Sequence, residues 1–544
     1  MKNKRFLALA MASILLASSF AACAPAAEDN KPKEPSSNIN VEGLPIAKEE
    51  VTYEIMISKN ESDKTNSQNE KDIMKLTTKD TNVNIEWREV MGAQFTEQFG
   101  LILSTGDNTP DAFKCWPTEQ QMAENADDFY ELTDETLETY APNITAQMKE
   151  HVDDGLDSLR KTDGKIYALP TGVWSEYANW ATSIMYIRKD WVEDLDMEMP
   201  KTIDDLYEIL VAFKENDMNG NGDKNDEIPF IYGQANWAGK LQAISGAWGI
   251  AGRNLNADSW YGRVEDGKYI LNITDQRFKD YLTEMNKWND AGLINKDGFT
   301  LTGSEYNALT NTPDAYGLRG TWTPNVDEYE EKWAPLPVLT AKGYEDMAMK
   351  PGELDTITAN KNGFIITSEC EQPEGLLRWW DHLHSNPDWK RISRDGPEGE
   401  CWFKGDDGLA YVKVPEKLPA GIANTTEYHN TYGWRSSSAA MFGDDTAKPD
   451  PDVLSADSIR YDVGKMYEEY FPKEHVPAIP VPAEVAEEFS YVKTEIETCV
   501  DNFMGTAVVN GFTDADWDAF QQELKDLGID EWVTYYQNII DGNF

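Results

Sequence analysis

The sequence predicts an α/β protein whose first part is built on a parallel sheet. Three stretches carry this. Val51 to Ser58 (VTYEIMIS), Val83 to Val90 (VNIEWREV) and Asp111 to Trp116 (DAFKCW) have the alternation and apolar content of strands. Between them lie helical segments, and a strand, helix, strand, helix, strand order calls for crossovers and parallel pairing. Length is the third observation. Roughly five hundred residues follow the N-terminal segments, enough for two or three cores.

The elements follow in order. Asn60 to Asp80 is polar and reads as a loop running into a helix. Phe95 to Leu103 (FTEQFGLIL) is helical, and Ser104-Thr105-Gly106-Asp107 is a turn before the third strand. Pro200-Lys201-Thr202-Ile203-Asp204-Asp205 carries an N-cap and capping acids. The helix Leu206 to Glu215 follows, with Leu206, Leu210 and Phe213 on one face. Phe278 to Ala291, Pro373 to His384 and Trp517 to Gly528 are further amphipathic helices, the second expected to fray at its His382-Leu383-His384 end. Trp191, Trp379, Trp380 and Trp517 fall on these helical patterns and are assigned to the core. No repeat period is present.

Charge excludes whole classes of partner. The formal net charge is -48 at pH 7. Nucleic acids and anionic lipids need their phosphates neutralised, so neither is an expected partner. The surplus acid reads as a solvated surface. Cys115, Cys370, Cys401 and Cys499 form no CxxC and no Cys/His cluster with zinc spacing, which leaves disulfides and free thiols both open.

The N-terminus reads as an export signal. Lys2, Lys4 and Arg5 form a positive region, Phe6 to Phe20 an apolar run too short to span a bilayer, and Ala21-Ala22-Cys23-Ala24 a small-residue site. This resembles a lipobox, with Phe20 where Leu is usual. The resemblance implies that Cys23 is lipidated and becomes the mature N-terminus, held on the outer face of a cytoplasmic membrane, with a Gram-positive cell expected. A diacylglycerol supplies two acyl chains, enough for stable anchoring where one is marginal. An ordinary secretory signal, with Cys23 incidental, is the alternative. Ala24 to Lys48 is rich in Ala, Pro, Asn, Ser, Lys and Glu and reads as a flexible tether. No later stretch approaches transmembrane length.

Several blocks taken in order resemble the extracellular solute-binding lipoproteins of ABC importers, in the large subgroup that takes up oligosaccharides and includes alginate-oligosaccharide-binding proteins. They are VTYEIMIS, STGDNTPDAF, Asp163-Gly164-Lys165-Ile166-Tyr167-Ala168-Leu169-Pro170, Tyr186-Ile187-Arg188-Lys189-Asp190-Trp191, PKTIDDLYEIL, DMNGNGDKNDEIP, and a closing block around Asp516-Trp517, Gly528 and Tyr536-Gln537. The resemblance implies a two-lobed periplasmic-binding-protein-like fold of type II, a hinge, and a ligand cleft between the lobes. It implies crossings near Leu169-Pro170 and near Trp333 to Thr340 (WAPLPVLT), with a return to the first lobe after Glu371. The expected division is a signal over 1–23, the tether over 24–48, and the first lobe over 49–168. The second lobe is expected over 169–345, the first lobe again over 346–405, and the second lobe, hinge and C-terminal helices over 406–544.

Asp217-Met218-Asn219-Gly220-Asn221-Gly222-Asp223 begins like an EF-hand loop, with oxygen side chains at positions one, three and five and glycine at six. Its end departs from that pattern. Ile228 stands at position twelve with Glu227 before it, and Ile228-Pro229-Phe230 reads as a strand rather than an exiting helix. The resembling subgroup closes a similar loop with an Asp-Glu pair, matched here by Asp226 and Glu227 one residue later than the family spacing, which leaves Asn225 as an alternative or added ligand to Asp226. That implies a structural Ca²⁺ held by Asp217, Asn219, Asn221, Asp226 and Glu227 with the Asp223 carbonyl. An Asn/Gly/Asp turn without metal is the alternative.

The chain holds 18 tryptophans and 24 tyrosines. A sugar ring offers a flat C–H face and a rim of hydroxyls, which aromatic rings and polar side chains can match. The loop aromatics and their neighbours are the candidates: Trp174, Glu176 and Trp180; Trp237; Trp248; Arg319 with Trp322; and Trp434 with Arg435. Core packing is the competing role for each tryptophan. GxSxG, HExxH, P-loop and complete GxGxxG motifs are absent. Their absence does not exclude hydrolysis, since glycosidases lack short universal signatures. The lipobox, the family-like order of the blocks and the short tether favour binding, and the resemblance implies a non-enzymatic, monomeric lipid-anchored protein that captures an oligosaccharide and delivers it to a permease. A secreted carbohydrate hydrolase and a surface adhesin are the alternatives.

Overall fold

The computed structural model describes residues 36–543, apart from 153, 162, 175–183, 237, 253–254, 352–359, 414, 416, 423–424, 436, 443–446, 451 and 478–480. Two sheets organise two lobes. The first has five strands in the order Val83–Met91, Val51–Lys59, Ala112–Lys114, Asn360–Ile366, Ala168–Thr171. Its opening is the predicted parallel unit: Val51 to Lys59 pairs in parallel with Val83 to Met91 along its whole length and with Ala112–Lys114 on its other edge. Helices Asp72–Thr81 and Gly92–Thr105 make the crossovers. Asn360–Ile366 then enters antiparallel to both its neighbours.

Alternation sets the two faces of this sheet. Tyr53, Ile55 and Ile57 face one core, which also holds Leu376, Leu377, Trp379 and Trp380. Met56 and Phe113 face the other, covered by Phe95, Phe99, Ile102 and Leu103 of Gly92–Thr105. Those four sit at helical spacing, so one stripe meets one sheet face.

The second sheet has four strands in the order Trp333–Pro335, Met185–Arg188, Tyr316–Gly320, Ile228–Ile231. Tyr316–Gly320 is parallel to Ile228–Ile231 and antiparallel to Met185–Arg188. Helix Ile203–Glu215 begins at a Thr202/Asp205 capping box and buries Leu206, Leu210 and Phe213 against one face. The same core takes Gln276–Asp290 and the three C-terminal helices Ala483–Asn510, Asp514–Asp526 and Ile529–Asp541. The opposite face packs on Ala456–Tyr467 through Ile459, Val463 and Tyr467.

Four expectations need correction. The tether expected over 24–48 is packed from Ser36 onward: Ile39, Ile46 and Ala47 are buried in the first core. The Ser36 amide donates to Glu374 and its hydroxyl to Gln372, and Arg378 donates to the carbonyls of Asn40 and Gly43. Part of the span expected in the second lobe after 406 instead joins the first, because Trp434, Ala439, Ala440 and Phe442 fill its core. The return to the first lobe, expected at 346, comes later: the Met349 and Lys350 amides still donate to Gly246 and Tyr470 of the second lobe, and the first sheet resumes with the strand Asn360–Ile366. Finally, His384 does not fray. It is buried, its Nε2 accepts from the Ala440 amide and its Nδ1 faces the Trp380 carbonyl. Burial holds this imidazole down to about 3. Trp191, Trp379, Trp380 and Trp517 are core, as expected. Cys115, Cys370, Cys401 and Cys499 are buried thiols rather than disulfides. Among the described residues no helix is long and apolar enough to cross a membrane.

Candidate functional site

Strand register locates the cleft. Thr171 and Asn360 are partners at one end of the first sheet, the end at which the parallel strands finish with Lys59, Met91 and Lys114. Met185 pairs with Gly320, and Pro335 with Tyr186, at one end of the second sheet. The chain passes between lobes from Thr171 to Met185, from Lys350 to Asn360 and again from Lys448 to Ala456; the first two connections reach these sheet ends at Thr171, Met185 and Asn360. In open α/β sheets the carboxyl ends of parallel strands are where ligands sit.

On the first lobe the wall is a polar lattice. The Lys71 ammonium is buried and donates to the carbonyls of Asn430, Thr431 and Gly433, while pairing with Asp63 at 3.1 Å. It thereby caps the carboxyl end of helix Thr425–Tyr432. Burial pulls its pKa down to about 8. Burial works against the Asp63 carboxylate too, yet Lys71 and hydrogen bonds from Gln68 and Thr65 hold it below its ordinary value. Lys59 pairs with Glu89 at 2.8 Å. Trp434, 4% exposed, donates from Nε1 to Gln68 Oε1 at 2.8 Å. Lys114 lies 4.5 Å above its ring and bonds Ser437. Arg435 points elsewhere, to the buried Asp395 at 3.2 Å. Trp116, at the end of Ala112–Lys114, is 41% exposed. It was absorbed into the strand DAFKCW in sequence; the following Pro117, which cannot continue a ladder, was the available signal.

On the second lobe the wall is aromatic. Trp322 is 36% exposed, with the Arg460 guanidinium 4.4 Å over its ring. Its carbonyl accepts from the Tyr186 hydroxyl at 3.3 Å, and the Thr321 amide donates to Ile184 at 3.0 Å. The Gly233 amide donates to the Gly239 carbonyl at 3.0 Å, and both glycines pack on Tyr306. A Cβ at Gly233 or Gly239 would lie 2.5 Å from Tyr306 atoms, so only glycine allows this approach. The loop between them presents Gln234, whose Oε1 is buried without a partner. Arg460 was missed because it lies 138 positions from Trp322, and nothing local announces the pairing.

The remaining candidates divide. Trp248 is buried in the second core, edge-on to Tyr281 at 5.5 Å. Arg319 is half-buried between Tyr316 and Trp333, with its guanidinium on the Thr310 carbonyl. Glu176, Trp180 and Trp237 lie outside the described residues, as does the Trp174 side chain; Trp174 itself belongs to the strand Val173–Trp174. Cys23 also lies outside them.

The calcium-like loop links helix Ile203–Glu215 to strand Ile228–Ile231. Asp217 accepts the amides of Asn221 and Gly222, and Asn221 Oδ1 accepts that of Asp223. Gly220 and Gly222 take φ of 71° and 96°, as the sharp turn requires. Asp226 accepts from the Asn221 amide group at 2.6 Å, which holds its carboxyl below the usual range. Glu227 is buried. Its Oε1 accepts the Asn219 amide, and its Oε2 has no partner. Among the described residues no group of three or more His, Cys, Asp or Glu forms a metal cluster. The fit to a hard cation therefore needs the amide oxygens of Asn219 and Asn221, and the orphaned Glu227 oxygen is the observation that favours it.

Comparison with known proteins adds the following. The family described as bacterial extracellular solute-binding protein matches residues 25–386. The fructooligosaccharide ABC transporter substrate-binding protein FusA of Streptococcus pneumoniae is 24% identical over 556 residues, 99% of this chain and 98% of that protein. A solved structure of the FusA EF-hand mutant with fructo-nystose superposes with a TM-score of 0.76 at 21% identity, covering 91% of this chain and 99% of that one. The alginate-binding protein AlgQ2, solved without calcium ion, gives a TM-score of 0.64 at 19% identity over 93% and 99% of the two chains.

Proposed function

The chain belongs to the bacterial extracellular solute-binding protein family, and on that premise we propose that it captures an oligosaccharide between its lobes and delivers it to the permease of an ABC importer. The observation that carries this is the pairing of walls at the crossings. Exposed Trp322 on the second lobe can cover a sugar face, while Trp116, Lys59 and Glu89 on the first offer a ring and hydroxyl partners. FusA and AlgQ2, which share the fold, are named for saccharide ligands.

Closure is the working step. The connections from Thr171 to Met185, from Lys350 to Asn360 and from Lys448 to Ala456 form the hinge; the described residues of the first lobe lie within 36–171 and 360–448, those of the second within 185–350 and 456–543. A ligand favours the closed state only by its extra contacts there. Ala238 and Gly239 pack on Gly320, where a Cβ would meet the Ala238 carbonyl, so this side of the wall is fixed to the strand that leads to Trp322. The finer parts of the proposal are a lipid anchor at Cys23 and a Ca²⁺ held by Asp217, Asn219, Asn221, Asp226 and Glu227 with the Asp223 carbonyl. When bound, the ion neutralises the gathered oxygens and pins the loop. No residue is assigned a bond-breaking role.

Calorimetry of the chain against a glycan panel, with reducing-sugar release assayed in parallel, tests this. Saturable binding of an oligosaccharide without turnover is expected. Turnover makes the protein a hydrolase and ends the proposal.

A further inference from the structure

The second lobe carries a half-open cavity of about 880 Å³, within the range of roughly 300–1,000 Å³ typical of small-molecule sites. Its described lining comes from 251–252, Ser259, 262–266, 348–349, 469–477, 489–490, Lys493, 535–536 and Ile539, with no contribution from the first sheet or its core. It is thus separate from the cleft and does not depend on how far the lobes close.

The floor is aromatic and fixed. Phe489 and Tyr535 stack at 3.8 Å and 9°, and Tyr536 stacks on Tyr269 at 5.0 Å and 18°. Behind them Trp532 donates to the Tyr269 hydroxyl at 2.9 Å and stacks on Tyr261 at 5.5 Å. Rings packed on rings cannot collapse into the space, so the cavity is preformed. One side wall is bolted in place: Glu474 accepts the amides of Asp266 and Gly267 at the turn between strands Gly262–Glu265 and Lys268–Leu271.

The rim is polar and locally balanced. Glu265, Asp266, Glu469 and Glu474 are opposed by Arg263, Lys473 and Lys493, with His475 beside them. In a chain of net charge -48 such near-neutrality is a local exception. It selects neither a cation nor an anion. Tyr470, 37% exposed, stands at the mouth. A flat apolar floor under a ring of alternating donors and acceptors matches the face and rim of an uncharged sugar.

We propose that this cavity is a second saccharide-binding site, taking one or two units of a neutral oligosaccharide independently of the cleft. It extends the proposed function by giving the second lobe a hold on glycan in both open and closed states. Tyr535 and Tyr470 supply the apolar contact, and Lys473, Glu469 and Ser490 reach the hydroxyls.

Native mass spectrometry and saturation-transfer NMR of the full chain, run against individual neutral di- to tetrasaccharides including kestose and nystose, test this. Two copies per chain are expected at millimolar sugar. Tyr470→Ala with Lys473→Ala, both exposed positions, should weaken only the second copy, by about tenfold. Tyr535→Ala should do the same if its melting curve matches the wild type. Trp322→Ala reports on the cleft alone, so a failure there is distinguishable. A single copy for every sugar, or a second copy indifferent to the Tyr470 and Lys473 changes, overturns the proposal.

Discussion

Trp434 and Trp322 occupy matching places on the two lobes, and each has a cation over its ring, Lys114 at 4.5 Å and Arg460 at 4.4 Å. One is 4% exposed and the other 36%. In sequence the two look alike, an aromatic beside glycine and arginine. Yet neither neighbouring arginine makes the contact: Arg435 goes to Asp395 and Arg319 to the Thr310 carbonyl. The difference comes from what lies behind the ring. Trp434 backs onto Trp87 and Gln68 and completes a core, whereas Trp322 sits on a strand end with solvent before it. Trp434 thus holds its wall together from behind, while exposed Trp322 on the second lobe, like Trp116 on the first, presents a ring to solvent.

The strongest test of that contrast is Trp434→Ala. It should cost about 3–5 kcal/mol of stability, as large-to-small core changes do, read by urea unfolding. The fraction still folded should bind as before. A stable variant with weakened binding would move Trp434 into the ligand site.

Metal removal comes next and belongs to the second lobe only. EDTA should lower the melting temperature, and Ca²⁺ should restore it better than Mg²⁺, which prefers a tighter octahedron. At a hundredfold excess over its dissociation constant an ion that binds only the folded state contributes about 2.7 kcal/mol. Asp217→Ala should abolish the difference. Identical melting in EDTA and Ca²⁺ would leave the loop a simple turn.

Acid should act on the first lobe. Burial depresses the His384 imidazole from 6.5 to about 3. Below 6.5 the unfolded chain takes up a proton that the folded one refuses, so stability falls as pH drops from 6.5 toward 3. The loss approaches about 1.4 kcal/mol per pH unit at most. His384→Gln keeps an acceptor for the Ala440 amide and removes the titration, so its unfolding midpoint should fall less over that window. Parallel curves would show that other groups set the acid response.

The smallest effect is expected at Trp322. Trp322→Ala should lose about 1–2 kcal/mol of sugar binding with an unchanged unfolding midpoint.

Much of the scaffold was legible because its signals are local. The alternation of VTYEIMIS and VNIEWREV, the Thr202/Asp205 cap and the stripe Leu206, Leu210, Phe213 need only neighbours in sequence to be read. The strap from Ser36 and the recruitment of 434–442 to the first core were not legible. Their partners are Glu374, Arg378, Gln68 and Lys114, hundreds of positions away, and polar composition hid the few buried residues Ile39, Ile46 and Ala47. The site divides the same way. The oxygen spacing of 217–227 marks the loop directly, while the choice between Trp434, Trp248 and Trp322 as binding surface depends on burial set by distant chain.

The central claim is that the two walls close on a sugar. Small-angle X-ray scattering of the chain with and without a saturating oligosaccharide, its binding verified by calorimetry, addresses it most directly. A smaller radius of gyration in the complex is predicted. An unchanged radius with the ligand bound would contradict a closing two-lobe cleft.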